Sequence, residues 1–526
     1  MENPVDDEQK IPSIVIVGIG GGGSRIISDG LEKIVNFQMV DRYNCLAKAT
    51  RANSDKPHVF IVDTSADPSR KGFFENIPQE QKISLSEAAR GMSRGAGGRP
   101  GRAAKAVLNK EVAKTLAEKL YKPIADIGPA IVVVVHTADG GTGGGLTPEV
   151  LQHLAYALPT STIFWVFTVL PRRNSLSMRG PRTVAPNMGK LLKVARQITR
   201  QVSRTDYFRI PANCREAIDS VIEKRESDSS YEFISSRIAL FPLSNHHFAQ
   251  CSKDYGRKEI REEVLNPFPI ELLSQALYPF LKYTVANLEQ QSWMQENWPL
   301  GPIDIPDIMA GLTPERPFII PHLWIDPKID DEAEIERVLK NFREGTIELD
   351  RVENESSKDQ FGLFTFTGAS SGLHEFRASS IYCIPIYPES SEYFDDFGDF
   401  VSDEWFPKLS GALNYIGGTD GSTTGVISHA ANLKPQPIPD APPDTNLGFK
   451  NGLLVTLNFG AIPADLPIWL EATRDIIEED KTDDFWELSS ADARSWLSTL
   501  SDYLGWRDWP LEKYLEPEEE ISEPEE

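Results

Sequence analysis

Cysteine is scarce in this 526-residue chain. The four present, Cys45, Cys214, Cys251 and Cys383, are scattered, with no pair at metal-ligand spacing. That excludes a disulfide scaffold and a zinc ribbon, and it fits reduced thiols in a cytoplasmic protein. Of eight histidines only His246 and His247 are adjacent; without companion ligands they read as a loop feature rather than a metal site. No apolar run approaches the roughly 20 residues of a membrane span. The longest, 131–135 and 163–170, read as buried parallel strands, so no direct membrane insertion is expected. Residues 1–10 are acidic and polar, without the basic and apolar regions of a secretory signal. Positive charge is also in deficit: 54 Lys and Arg face 78 Asp and Glu, a net charge of −24. That balance disfavours nucleic acid as a partner.

Glycine, by contrast, comes in clusters. Asp139-Gly140-Gly141-Thr142-Gly143-Gly144-Gly145 follows the apolar run 131–135 and precedes a helix-like segment expected from about Leu146. Backbone N–H groups unobstructed by side chains can close around an anion, and the dipole of the following helix adds to the attraction. A plain strand-to-helix turn is the other reading of such a cluster. A second one, Gly18-Ile19-Gly20-Gly21-Gly22-Gly23-Ser24, follows the strand-like 14–17, and its Gly18, Gly20 and Gly23 satisfy G-x-G-x-x-G. A third, Gly95-Ala96-Gly97-Gly98-Arg99-Pro100-Gly101-Arg102, opens a helix-like run over 103–121. Three glycine turns in the first part of the chain suggest convergence on one triphosphate.

The first half alternates strand and helix patterns, as a doubly wound α/β sheet does. Strands are expected at 14–17, 59–62, 131–136, 162–169 and 237–242, and helices over 103–121 and 188–202. Residues 206–232 read as an insertion or loop excursion. A long helix is expected over 269–289, kinked or interrupted at Pro279. From 317 onward a second alternating region carries strand patterns at 318–325, 361–367, 380–386, 425–428 and 453–459, with a Pro-rich loop at 434–443. Helix-like 490–504 follows, then a Glu- and Pro-rich tail over 516–526 that cannot bury enough apolar surface to fold.

The order of these turns resembles the tubulin/FtsZ superfamily of polymer-forming GTPases. The family signature G-G-G-T-G-[ST]-G is similar to 139–145, with Asp139 and Gly144 as departures. The N-terminal cluster looks like the family's first nucleotide loop, Val59-Phe60-Ile61-Val62-Asp63-Thr64 like the approach to its second, and 95–104 like its third. Gly301-Pro302-Ile303-Asp304-Ile305-Pro306-Asp307 is similar to the acidic loop N-x-D-x-x-D; read alone, Asp304 and Asp307 also suit a helix cap. Pro242-Leu243-Ser244-Asn245 is similar to the tubulin Pro-x-Asn turn, and Ser274-Gln275-Ala276-Leu277-Tyr278 to the stretch N-E-A-L-Y. Arg25 stands where FtsZ usually has Asn, and Arg172, Arg173, Arg179 and Arg182 replace the family's ribose-binding segment, so ribose recognition does not carry over.

The resemblance implies a Rossmann-like GTPase domain with a parallel sheet, a long core helix and a second mixed α/β domain. The expected divisions are an acidic tail (1–10), the nucleotide domain (11–265), core helix and acidic loop (266–316), C-terminal domain (317–475), helical segment (476–515) and acidic tail (516–526). GTP or GDP with Mg²⁺ would sit on Gly20, Gly21, Gly22, Gly23, Ser24, Asp63, Thr64, Ala96, Gly97, Gly98, Arg99, Gly140, Gly141, Thr142, Gly143 and Gly144. The base would meet Asn245, Ser274 and Gln275. Asp304 and Asp307 would act catalytically on the nucleotide of the next subunit in a head-to-tail filament. The tail either serves solubility or recruits a basic partner. Two other functions remain open: a nucleotide-binding scaffold of this fold that does not hydrolyse, and a Rossmann-type oxidoreductase using Asp63 on a ribose.

Overall fold

The computed structural model describes residues 11–36, 38, 41–52, 54–65, 77–88, 96, 100–173, 180–199, 210–222, 237–254, 265–285, 291, 309, 312, 317–325, 333, 336–337, 340–341, 344–351, 364–375, 380–386, 429–430, 453–460, 462–479 and 490–506. Strands β1 (Ile14–Ile19), β2 (Val59–Asp63), β3 (Lys82–Ser84), β4 (Ile131–Thr137), β5 (Ile163–Leu170) and β6 (Ile238–Ser244) form one sheet in the order β3-β2-β1-β4-β5-β6. Every neighbouring pair is parallel. Strands covered on both faces lose the polar alternation of an exposed sheet, which is why they stand out in the sequence as continuous Val, Ile and Phe runs.

Successive side chains point to opposite faces, and they sort accordingly. Ile14, Ile16, Val133, Val135, Trp165 and Phe167 pack on α1 (Gly20–Asn36), α2 (Asp41–Thr50) and the core helices. Val15, Val17, Val132, Val134, Phe164 and Val166 pack on the other layer. That layer holds α3 (Pro100–Val107), α4 (Lys110–Leu116), α5 (Lys122–Ile127), α6 (Gly141–Ala157) and α7 (Gly180–Thr199). The chain reverses its winding between β1 and β4. In such a sheet the crevice for a ligand opens at the carboxyl ends of those two strands.

Local chemistry moves several boundaries from their expected places. α6 starts at Gly141 and α1 at Gly20, so the glycines form first helical turns instead of preceding them. The run 103–121 is divided: α3 begins on Pro100, suited to a first helical position, and Asn109 caps α4 by accepting from Glu111 N at 2.9 Å. Within 206–232 the described part is a helix, Ala212–Ile222. The core helix is two pieces, Phe268–Ala276 and Tyr278–Val285, parted at Leu277 just before Pro279, which has no N–H to extend the helical ladder.

The second sheet holds β7 (Ile319–Ile325), β8 (Ile347–Arg351), β9 (Phe364–Ala369), β11 (Ser380–Ile386), β12 (His429–Ala430) and β13 (Leu453–Phe459), ordered β12-β11-β13-β7-β9-β8. Its pairings are antiparallel except β11 with β12. β10 (Leu373–Glu375) pairs with β14 (Ile462–Pro463) apart from it. The expected strand 425–428 lies outside the described residues; the strand found nearby is β12. Ile319, Leu323, Val455 and Leu457 join the same apolar cluster as β1 and β4, so the two sheets share a core. Helix Asp465–Glu479 runs across the expected division at 475. With helix Ser490–Leu504 it packs through Leu466, Trp469, Leu470, Leu497 and Leu500 into the layer of α7.

Histidines buried in this core carry a pH dependence. Burial lowers His136 and His153 from the usual 6.5 to about 4 and His322 to about 3. They stay neutral in the fold while the unfolded chain takes up protons, so stability is full above about pH 6.5 and falls as pH drops toward 4, by on the order of 1–2 kcal/mol per histidine at pH 5. Thermal melts should therefore show Tm declining between about pH 7 and 5. His153→Gln should shallow that slope; an unchanged slope would show that His153 is not a source of it.

Candidate nucleotide site

Two helices begin at the switch point. Gly20, at φ +75°, ends β1 and starts α1; a Cβ there would lie 2.7 Å from Gly143 N and 3.3 Å from Thr142 Cβ. A Cβ on Gly143 would come within 3.1 Å of the carbonyl oxygens of Ile19 and Thr137. The first turns of α1 and α6 thus touch backbone to backbone. Gly23 explains how α1 comes so low over β4, because a Cβ there would stand 2.1 Å from Val135 O. The N-cap of α6 is Gly140, and no side chain caps the turn. The leading N–H groups of α6 therefore have no acceptor within the helix.

The second loop closes on the same place. Thr64 Oγ1 and Thr142 Oγ1 are hydrogen-bonded at 2.6 Å. Asp63 is buried, accepts from Ser65 N at 3.2 Å, and has Oδ2 3.8 Å from where a Cβ of Gly21 would sit. The third loop arrives through Pro100, whose carbonyl oxygen would be 2.0 Å from a Cβ on Gly145. Ala96 is buried, while Gly97, Gly98 and Arg99 lie outside the described residues. The structure therefore brings Gly20 to Gly23, Asp63, Thr64 and Gly140 to Gly144 together around one crevice. Glycines that a Cβ would fill are the cradle a phosphate chain needs, and oxygen donors from Thr64, Thr142 and Asp63 suit a hard cation.

Polar groups with nothing to bind lie nearby. Ser24 Oγ and Ser28 Oγ are buried on successive turns of α1 without a hydrogen-bond partner, and so is Asn245 Oδ1, just beyond β6. A buried polar atom left unpaired costs free energy unless a ligand or water meets it. Ser28 was not expected from the sequence; its place four residues after Ser24, on the same helical face, is the one signal of it there. Arg173 Nε donates to Asp465 Oδ1 at 2.6 Å.

Ser274 and Gln275 lie in the core helix Phe268–Ala276. Ile270 sits against Gly30, about 15 Å along α1 from Gly20 at 1.5 Å per residue, and the two residues lie a turn beyond it. Ser274 Oγ donates to Glu271 O at 2.8 Å and Gln275 Nε2 to Glu271 Oε1 at 2.6 Å. Both are buried in a charged cluster between the helices. Arg42 Nη2 donates to Glu271 Oε1 at 2.9 Å, Tyr43 OH to Glu271 Oε2, and Lys33 Nζ lies 3.9 Å away. Burial pushes the Glu271 carboxyl up, but the Arg42 and Lys33 charges and the bonds from Tyr43 and Gln275 outweigh it and hold it below its usual range. Beside it, Tyr278 OH and Lys282 Nζ each donate to Asp41 Oδ2 at 2.6 Å. This cluster ties the core helices to α1 and α2.

Asp304 and Asp307 lie outside the described residues, as do both acidic tails. Among the described residues no helix is long and apolar enough to cross a membrane, and no group of three or more His, Cys, Asp or Glu side chains gathers to hold a metal.

Residues 13–200 match the family model for the Tubulin/FtsZ family, GTPase domain. Among solved structures the chain is similar to CetZ2 from Haloferax volcanii, a GTPγS-bound protofilament, at 13% identity and a TM-score of 0.48, over 89% of this chain and 100% of that one. No curated protein matches the sequence. With its glycine turns meeting over β1 and β4, the stretch 13–200 is similar to the GTPase domain of the Tubulin/FtsZ family.

Proposed function

We propose that the protein binds GTP and Mg²⁺ at the meeting point of α1 and α6 and assembles head to tail, with hydrolysis completed by the neighbouring subunit. The observation that carries this reading is the backbone contact of Gly20 with Gly143. It sets two helix N-termini against one another, where together they favour a polyanion. The first turns of both helices hold the phosphates; Ser24, Ser28 and Asn245 offer unpaired polar atoms to the rest of the nucleotide. Thr64, Thr142 and Asp63 are the residues to hold the metal, which when bound neutralises charge on the phosphates. Asp304 and Asp307 of a second copy orient a water toward the γ-phosphorus. Its oxygen forms the new P–O bond as the bond to the β,γ-bridging oxygen breaks, releasing GDP and inorganic phosphate.

A site shared between copies makes turnover depend on assembly. GTP turnover per mole should rise with protein concentration in step with right-angle light scattering. Asp304→Ala and Asp307→Ala should keep GTP binding but lower turnover by about 100-fold, the scale on which a positioned catalytic group acts. Binding of GTP with flat turnover and scattering would leave a nucleotide-dependent scaffold. NADH binding without GTP binding would assign the crevice to a dinucleotide and overturn the reading.

A further inference from the structure

The turn that opens α6 has a gap in its floor. Gly144 carries no side chain, and a Cβ there would fall 2.1 Å from Asn187 Nδ2 and 2.7 Å from Ala138 O. The space belongs to Asn187, which reaches in from α7, is 5% exposed, and donates from Nδ2 to Ala138 O at 2.7 Å. Ala138 is the residue between β4 and the turn, and its N–H donates to Val169 O of β5 at 2.9 Å. Both backbone polar groups of Ala138 are therefore held, one by the sheet and one by a side chain 49 residues away in sequence.

We propose that Asn187 is a positioning residue for the nucleotide turn. Its amide fixes the peptide that launches the turn, so that the leading N–H groups of Gly141, Thr142 and Gly143 keep one direction, toward the phosphates. A glycine-rich turn needs such a fixture, because glycine has the widest backbone freedom to lose. Donors aimed before the ligand arrives bind more tightly than donors that must be ordered by it.

α7 is itself held rigidly enough to serve. Gly189 runs against the backbone of the C-terminal helix Ser490–Leu504; a Cβ on it would lie 2.0 Å from Trp496 O. Lys190 pairs with Glu149 of α6 and stands 4.9 Å over the Trp496 ring. Lys193 Nζ donates to Ser495 Oγ at 3.0 Å. α6, α7 and the C-terminal helix thus brace one another just below the turn. Asn187 carries that brace to Ala138.

The inference rests on the nucleotide reading above, and the test separates the two. Labelled GTPγS is titrated into the full chain as wild type, Asn187→Ala and Asn187→Leu, and Tm is read with and without the nucleotide. Asn187→Leu keeps much of the volume and removes the donor without adding charge, so it reads out positioning even if the alanine variant fails to fold. The expected result is wild-type binding, with affinity weakened about 10-fold or more in both variants, the scale of one lost hydrogen bond that leaves a buried acceptor unmet. Loss of the donor to Ala138 O lowers the ligand-free Tm in either case; the positioning role shows in a smaller nucleotide-induced rise in Tm. A purely structural Asn187 would leave that rise intact and the affinity within about 2-fold of wild type, a difference below the usual worth of a hydrogen bond; that outcome overturns the inference alone. A wild-type chain that binds no GTPγS overturns the nucleotide reading and this inference with it.

Discussion

Glu271→Leu is expected to lower Tm by on the order of 10 °C, and at growth temperature to leave little folded protein. The carboxylate is fully buried and serves Arg42, Lys33, Tyr43 and Gln275 at once. Removing it takes from Arg42 and Lys33 the carboxylate they face, and from Tyr43 and Gln275 an acceptor. Breaking a buried ion pair from one side costs about 3–5 kcal/mol, because the remaining charge stays desolvated.

The cluster need not be a net source of stability for this to hold. Well-packed apolar groups in place of a whole buried ion cluster are often neutral or stabilising. Lys33→Met, Arg42→Met and Glu271→Leu combined should therefore recover much of what Glu271→Leu alone loses. Glu271→Gln, which keeps one acceptor oxygen but replaces the other by a donor and loses the charge, should fall between. A single Glu271→Leu variant melting within about 2 °C of wild type, a shift below the effect of 1 kcal/mol in a domain of this size, would show that Arg42 and Lys33 do not depend on Glu271.

Which parts of this molecule could be read from its residues follows from how far each interaction reaches. The strands β1, β2, β4, β5 and β6 are local apolar runs, because burial on both faces demands them. The short β3, β10 and β14 have two or three residues each and no room for a pattern. Helix starts depart from the glycine pattern for a physical reason: glycine is a poor helix former, yet Gly20, Gly22, Gly23, Gly143, Gly144 and Gly145 are helical where only a residue without Cβ fits against its neighbours. Lys33, Arg42 and Glu271 look like surface charges, and their meeting spans 229 residues between Arg42 and Glu271. Asn187 has the same character, since nothing beside it in sequence marks the empty side of Gly144. The turns of the candidate site were legible as motifs; the side chains that hold them in place were not.

Within the first turn, adjacent glycines should respond in opposite ways. Gly20→Ala is expected to abolish measurable GTP binding, a loss of about 100-fold or more, equivalent to ~2.7 kcal/mol. Its φ of +75° costs an L-residue roughly 1–2 kcal/mol, and the new methyl would press to 2.7 Å from Gly143 N. That nitrogen belongs to backbone, so relief means parting α1 from α6, and the opening between them is the proposed phosphate cradle. Gly21→Ala meets only Asp63 Oδ2, at 3.8 Å, an ordinary contact, and Gly21 is exposed. It should fold as wild type does and weaken binding far less. Gly128→Ala supplies the control for backbone strain, since Gly128 shares a positive φ of +63° but has nothing within 4 Å of an added Cβ. It should cost stability and leave GTP affinity untouched. Nucleotide affinity and Tm measured on all three variants separate strain from closure. Equal affinity in Gly20→Ala and Gly128→Ala would mean that the contact of α1 with α6 does not shape the site.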